Sequence, residues 1–341
     1  MVKSGLKWVF LIVGTMIGAG YASGRELWQF FGPESGLAIL LFAVLFIISC
    51  QSILMISYRL KTTHYLPVLS NLVGKRFAKL YDGMIIIYLF STTVIMLAGS
   101  GVTVQAYRLP TWFGILLIAC LLIVVFQWDI KGVLVLNSFI LPLLITGLVS
   151  VLISFVSKNG FVFENLLINQ SNWLAAFPFT ALNILPLIAV IGAIGSQIEH
   201  KKETYVASIG SGLILGSISM LYNSSLLQIA DQIISFEMPL FGILAYYPYT
   251  MFLFITVLLW FAIFTTAVTG TLGLVTRIHN TFPIPLSKLV IIIVILMLPL
   301  TSLGFQTLIE VLYPLYGVLN LYVLANLLLY PILHRYKLAE K

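Results

Sequence analysis

The chain has 341 residues, of which 60% are hydrophobic and only 9% charged, with a formal net charge of +7. Soluble domains carry about 25% charged residues, so a water-surrounded globule is excluded and the bilayer is the expected solvent. The apolar runs are roughly 20 residues or longer, which selects membrane-spanning helices over the alternating ~10-residue strands of a barrel.

Ten spans are predicted, at residues 5–31, 35–58, 78–106, 111–128, 131–157, 172–198, 204–228, 246–278, 286–303 and 304–334. They form one transmembrane domain over 1–341, since the longest connections (59–77, 158–171 and 229–245) are too short for a soluble domain. Lys3, Lys7 and the run Trp8–Ile17 imitate a signal peptide. Apolar character resumes at Leu27, however, so a retained first helix is expected. With the N-terminus inside, 15 of the 18 Lys and Arg residues fall on inside segments, and Arg108 and Lys158 fall outside. The positive-inside rule then places both termini in the cytoplasm and requires an even number of helices. It also explains the basic balance without nucleic acid. Cys50 and Cys120 lie inside apolar runs and read as small hydrophobes.

The first span carries Gly14, Gly18, Gly20 and Gly24, then Arg25 and Glu26. Each glycine costs about 1 kcal/mol relative to alanine, so an interrupted helix is expected here. Four-residue glycine spacing also serves close helix packing, but packing leaves Arg25 and Glu26 unexplained. The sixth span holds Asn183, Pro186, Gly192 and Gly195, and a second interruption is expected there. Interrupted helices in equivalent places predict two inverted five-helix halves, roughly 1–157 and 172–334, with a binding site between them.

The stretch Gly14–Glu26 (GTMIGAGYASGRE), with FFGPESG at 30–36, resembles the YkvI-type family of bacterial membrane proteins. That family is similar to the amino acid–polyamine–organocation superfamily of LeuT-like fold. The resemblance implies a sodium site made by the carbonyls of Gly14 and Ile17, the carbonyl of Ala262 and the hydroxyls of Thr265 and Thr266. Five oxygens suit a hard cation; the plain alternative is that both threonines bond back to their own helix. Some relatives couple to protons through a lysine of helix five, and Gly132–Val156 has no basic residue, which favours sodium. Tyr21 stands where some relatives place a second-site asparagine, so one sodium is expected.

Free N–H groups near Gly18, Ala19 and Gly20 suit a substrate carboxylate. No acidic residue stands at the break itself to hold an amine, so an amino acid is favoured over a bare amine. Tyr21, Phe179, Ser91, Thr92 and Asn183 are the further pocket candidates. Arg25 and Glu26 are costly near the membrane core and read as functional. Glu310 sits at matching depth in the last span, and the resembled fold implies an outer gate of Arg25 with Glu310. The alternative is an Arg25–Glu26 pair that only lowers insertion cost.

No catalytic constellation, Walker loop or transition-metal spacing is present. His64, His200, His279 and His334 are scattered, and Glu199-His200 with Glu203 reads as a solvated loop. The expectation is therefore a cell-membrane symporter rather than an enzyme, taking an amino acid or similar small molecule. Sodium would be the coupling ion, the lipid bilayer the surroundings, and no cofactor is implied. Proton coupling and a germinant-receptor-like sensor of the same fold stay open as alternatives.

Overall fold

The structure is a computed structural model that describes residues 2–127, 130–161, 170–279 and 285–333. Arg335, Lys337 and Lys341, three of the 15 basic residues counted on inside segments, and His334 lie outside these residues. All regular structure among the described residues is helical. The helices are α1 (Val2–Met16), α2 (Ala19–Ala22), α3 (Arg25–Phe30), α4 (Gly36–Leu60), α5 (Leu66–Gln105), α6 (Thr111–Gln127) and α7 (Ile130–Asn159). They continue as α8 (Ala176–Ile194), α9 (Lys201–Leu227), α10 (Pro239–Leu244), α11 (Tyr249–His279), α12 (Leu286–Met297), α13 (Phe305–Leu319) and α14 (Leu321–Leu333).

Among the described residues, seven helices are long and apolar enough to cross a membrane. The pair α13 and α14, bent by 43°, passes the same test as one broken span. Ser4–Met16 and Thr111–Gln127 are apolar but shorter. Leu40, Val44, Ile87, Phe139, Phe254 and Ile295 are exposed and lie outside the cavity described below. Apolar surface on that scale is stable only against lipid, so this is a multi-pass membrane protein.

The first segment breaks where its glycines lie. α1 stops at Met16, and Gly18 is extended (φ −79°, ψ −177°) before the single turn of α2. Gly24 then takes a left-handed conformation (φ 78°), which turns the chain into α3. Only glycine adopts that conformation without a Cβ penalty.

Two expectations change. The sixth span is one continuous helix, α8, through Asn183 and Pro186. Proline removes one backbone donor, which frees only the Leu182 carbonyl, and Leu182 faces a cavity that tolerates it. The predicted 59–77 connection is also partly helical: α5 starts at Leu66 and kinks at Gly74 (φ 77°, ψ 162°).

The bundle is built on a repeated set of contacts. α4 packs on α9, α5 on α11 and α6 on α12. α1 lies against α9 as α8 lies against α4, and α7 lies against α11 as α13 lies against α5. Asp82 of α5 and Arg277 of α11 form a bidentate ion pair, and the Tyr65 hydroxyl donates to Asp82 Oδ1 at 2.5 Å.

Candidate substrate cavity and its plug

A cavity of about 1990 Å³ runs into the bundle between α1, α5, α7, α8, α9 and α11. Its lining extends from Lys7, His64, Tyr65 and Arg277, which are exposed or half-buried, to Gly18, Ala19, Gly20, Glu26, Tyr88, Thr92, Asn183 and Tyr313, which are buried or half-buried. The break in the first segment thus lies among the more buried part of this lining. The backbone there is irregular, which within a membrane is tolerated where it lines such a space.

Glu26 is the main departure from the sequence reading. It follows Gly24 in the chain, yet the left-handed turn brings its carboxylate back onto the break. A Cβ placed on Gly20 would stand 2.9 Å from Glu26 Oε2 and 3.2 Å from the Tyr313 hydroxyl. The absence of a side chain at Gly20 is what lets these two polar groups approach. Glu26 is 6% exposed, with the Asn183 side chain as its hydrogen-bonding neighbour. An acid does therefore stand at the break, contrary to expectation. The expected carboxylate site on an outer half-helix weakens as well, because α2 is only four residues long and has little macrodipole to offer.

Arg25, the adjacent residue, points the other way. Successive helical residues diverge by about 100°, so one turn of α3 serves both the cavity and its far side. Arg25 is 3% exposed; its Nε donates to the Glu237 carbonyl at 2.9 Å, and its Nη2 donates to the Phe236 carbonyl and to Gln306 Oε1 (3.0 Å). Nη1 lies 3.8 Å from Glu310 Oε1, which also accepts from Gln306 Nε2 at 2.7 Å. The chain after α9 returns here: the Leu240 amide donates to the Ser23 carbonyl at 2.9 Å, and α10 is buried throughout. Arg25 thus fastens α3, the 236–240 segment and α13 to one another, and this cluster is the candidate plug. Arg25 and Glu26 form no pair with each other among the ion pairs of the described residues.

The other candidates divide. Gly18, Ala19, Gly20, Thr92 and Asn183 line the cavity, with Thr92 Oγ1 donating to the Leu89 carbonyl at 3.2 Å and Asn183 Nδ2 to the Phe179 carbonyl at 2.9 Å. Tyr21 is fully buried against α9, bonded to Ser219 (2.7 Å) and the Leu215 carbonyl (3.1 Å). Phe179 belongs to an aromatic cluster with Phe30, Phe31 and Phe42, at centroid distances of 5.3, 4.6 and 4.7 Å. Ser91 is held by Tyr316 at 2.7 Å. These three are packing residues rather than cavity lining. Tyr88 and Tyr313, which do line it, carried no signal separating them from the chain's other tyrosines.

Of the expected sodium ligands, Gly14 and Thr266 line the cavity, while Ile17, Ala262 and Thr265 are buried behind its wall. Thr265 Oγ1 donates to the Ala262 carbonyl at 3.1 Å. α1 ends at Met16, so the carbonyls of its last turn lie where helical donors run out.

No family model matches the chain. The uncharacterized protein YyaD of Bacillus subtilis (strain 168) is 49% identical over 335 residues, covering 98% of this chain and 99% of that one. The uncharacterized membrane protein YkvI of the same organism is 24% identical over 333 residues, covering 94% of each. Among solved structures, the inward-facing conformation of Mhp1 aligns with 98% of this chain and 77% of its own at TM-score 0.64 and 12% identity. A Na+-coupled sialic acid symporter in a substrate-bound outward-open state aligns with 92% of this chain and 74% of its own, at TM-score 0.60 and 15% identity. An Eremococcus coleocola manganese transporter aligns with 94% and 76% at TM-score 0.58 and 13% identity. At these identities the solved structures speak for the fold, and the relatives for the lineage. The chain belongs to the family of bacterial membrane proteins that includes YyaD and YkvI, and it has the LeuT-like fold of the transporters it aligns with.

Proposed function

We propose that the protein is a secondary active transporter that carries a small organic solute across the cell membrane by alternating access. The observation that carries this reading is the pairing of one deep cavity with one plug. The cavity reaches Gly20 and Glu26 from the end marked by Lys7 and Arg277, and the Arg25 network seals the opposite side. A site open to one side and closed to the other is what alternating access requires. With the basic residues placed inside, both termini are cytoplasmic and this is the inward-facing form. The ten spans divide into halves 1–157 and 172–334. The contact pattern supports an inverted repeat, because exchanging the halves turns α1–α9 into α8–α4 and α7–α11 into α13–α5.

The solute presents an ammonium group to Glu26. A carboxylate buried in a low-dielectric site is costly without a cationic partner, and the cavity is where that partner arrives. An amino acid and a simple amine both meet this demand, so the preference for an amino acid drawn from the sequence no longer holds. Sodium is the coupling ion, bound by Gly14, Ile17, Ala262, Thr265 and Thr266 when α1 closes on α11. Glu26 also favours a second reading in which it carries a proton and the coupling is to pH.

Uptake by proteoliposomes separates these readings. A labelled mixture of amino acids and their decarboxylated amines is offered with an inward sodium gradient, an inward proton gradient or neither. Sodium-driven uptake that the double change Thr265→Ala/Thr266→Ala abolishes is the expected result. Uptake driven by protons alone and lost in Glu26→Gln would replace sodium coupling with the second reading. Saturable binding without uptake under any gradient would overturn transport.

A further inference from the structure

We propose that Glu199, His200 and Glu203 form a binding site for a first-row divalent cation at the start of α9, beside the cavity-lining Trp8 and independent of what the cavity itself carries. Each residue offers one ligand atom, and the three atoms lie within 4.8 Å of one another. The local fold explains the convergence. His200 is extended (φ −125°, ψ 139°) as the residue before α9, and Glu203 sits in the first turn, its amide bonded to the His200 carbonyl at 3.0 Å. Two carboxylates and an imidazole neutralise a 2+ charge. A mixed oxygen and nitrogen set suits Mn²⁺, Fe²⁺ or Zn²⁺ better than Mg²⁺ or Ca²⁺, which prefer oxygen alone.

A second observation sets this group apart from a solvated acidic loop. Glu203 is 1% exposed, and its Oε1 has no hydrogen-bond partner. Its other oxygen, Oε2, accepts from Trp8 Nε1 at 2.9 Å. A buried acceptor left empty is expensive, and a cation held between Glu203 and the exposed pair Glu199 and His200 completes it. The two ion pairs among the described residues, Arg25–Glu310 and Arg277–Asp82, both lie elsewhere.

The Trp8 bond gives the site its place in the molecule. Trp8 lines the cavity from α1, and the neighbouring turn of α1 is pressed onto α9, where a Cβ on Gly5 would stand 2.7 Å from Val206 Cβ. A cation bound to Glu203 therefore grips the carboxylate that anchors this part of α1.

The test uses the full chain in detergent, titrated with Mn²⁺ and followed by electron paramagnetic resonance, with thermal unfolding as a second readout. One equivalent of Mn²⁺ bound by the wild type, with an upward shift in Tm, is expected. The double variant Glu199→Gln/His200→Ala leaves the Glu203–Trp8 bond in place, and should bind at least tenfold more weakly and lose the Tm shift. Its Tm without metal should match the wild type, which shows that the fold is intact. Absence of a bound equivalent in the wild type would overturn the site. So would undiminished binding in the double variant, or binding lost in Glu26→Gln instead, which would assign the ion to the cavity.

Discussion

Replacing Arg25 with alanine removes a side chain that ties α3 to both the 236–240 segment and α13. The wild-type guanidinium bonds the Phe236 and Glu237 carbonyls and Gln306, and lies 3.8 Å from Glu310. Hydrogen bonds from a charged donor are worth about 1.5–3 kcal/mol each. The Glu310 side chain is 39% exposed, so solvent screens the ion pair to a surface value of about 0–1 kcal/mol. The bonds to the two carbonyls and to Gln306 therefore dominate. Water entering the vacated space recovers part of them, which leaves the plugged form weaker by about 2–4 kcal/mol. That corresponds to a roughly 30- to 1000-fold shift toward forms open on the plug side. The assay is labelling of Thr92→Cys by a membrane-impermeant thiol reagent, in a background with Cys50 and Cys120 replaced. Arg25→Ala should speed labelling from the plug side strongly, and Glu310→Gln only slightly. If Glu310→Gln matches Arg25→Ala, the ion pair and not these hydrogen bonds holds the plug. If neither changes labelling, the plug reading is refuted.

Two further predictions follow from the same turn of α3. Glu26→Gln should raise the KM or Kd for amine-bearing solutes by at least tenfold, while Glu26→Asp retains part of the affinity; equal affinities for all three proteins, measured by uptake or binding, would remove the ammonium contact. Gly24→Ala combines a left-handed cost of about 1–2 kcal/mol with a Cβ only 2.8 Å from the Tyr222 hydroxyl, which itself bonds the Ala22 carbonyl. It should lower the thermal stability of the detergent-solubilised protein and depress uptake, because both Arg25 and Glu26 are aimed by this turn; an unchanged melting curve with unchanged uptake would refute that role.

What the sequence determined by itself is what depends on local chemistry. A composition 60% hydrophobic and only 9% charged required the bilayer. Glycines at 14, 18, 20 and 24 marked where α1 stops, because backbone cost is a local property. Arg25, Glu26 and Glu310 stood out by their expense in a membrane. Pro186 shows the limit of this: a proline removes one helical hydrogen bond, but whether a helix yields depends on what packs around it. Direction is not local. Tyr21 and Phe179 have the right character for a pocket, yet Tyr21 turns to α9 and Phe179 to an aromatic cluster. No acid is expected at the break from the sequence because Glu26 comes two residues after Gly24, and only the turn at Gly24 returns it there. The same holds for Glu203, whose burial against Trp8 joins residues 195 positions apart. Composition and spacing fix which residues are costly, and the tertiary fold alone decides which partner each of them meets.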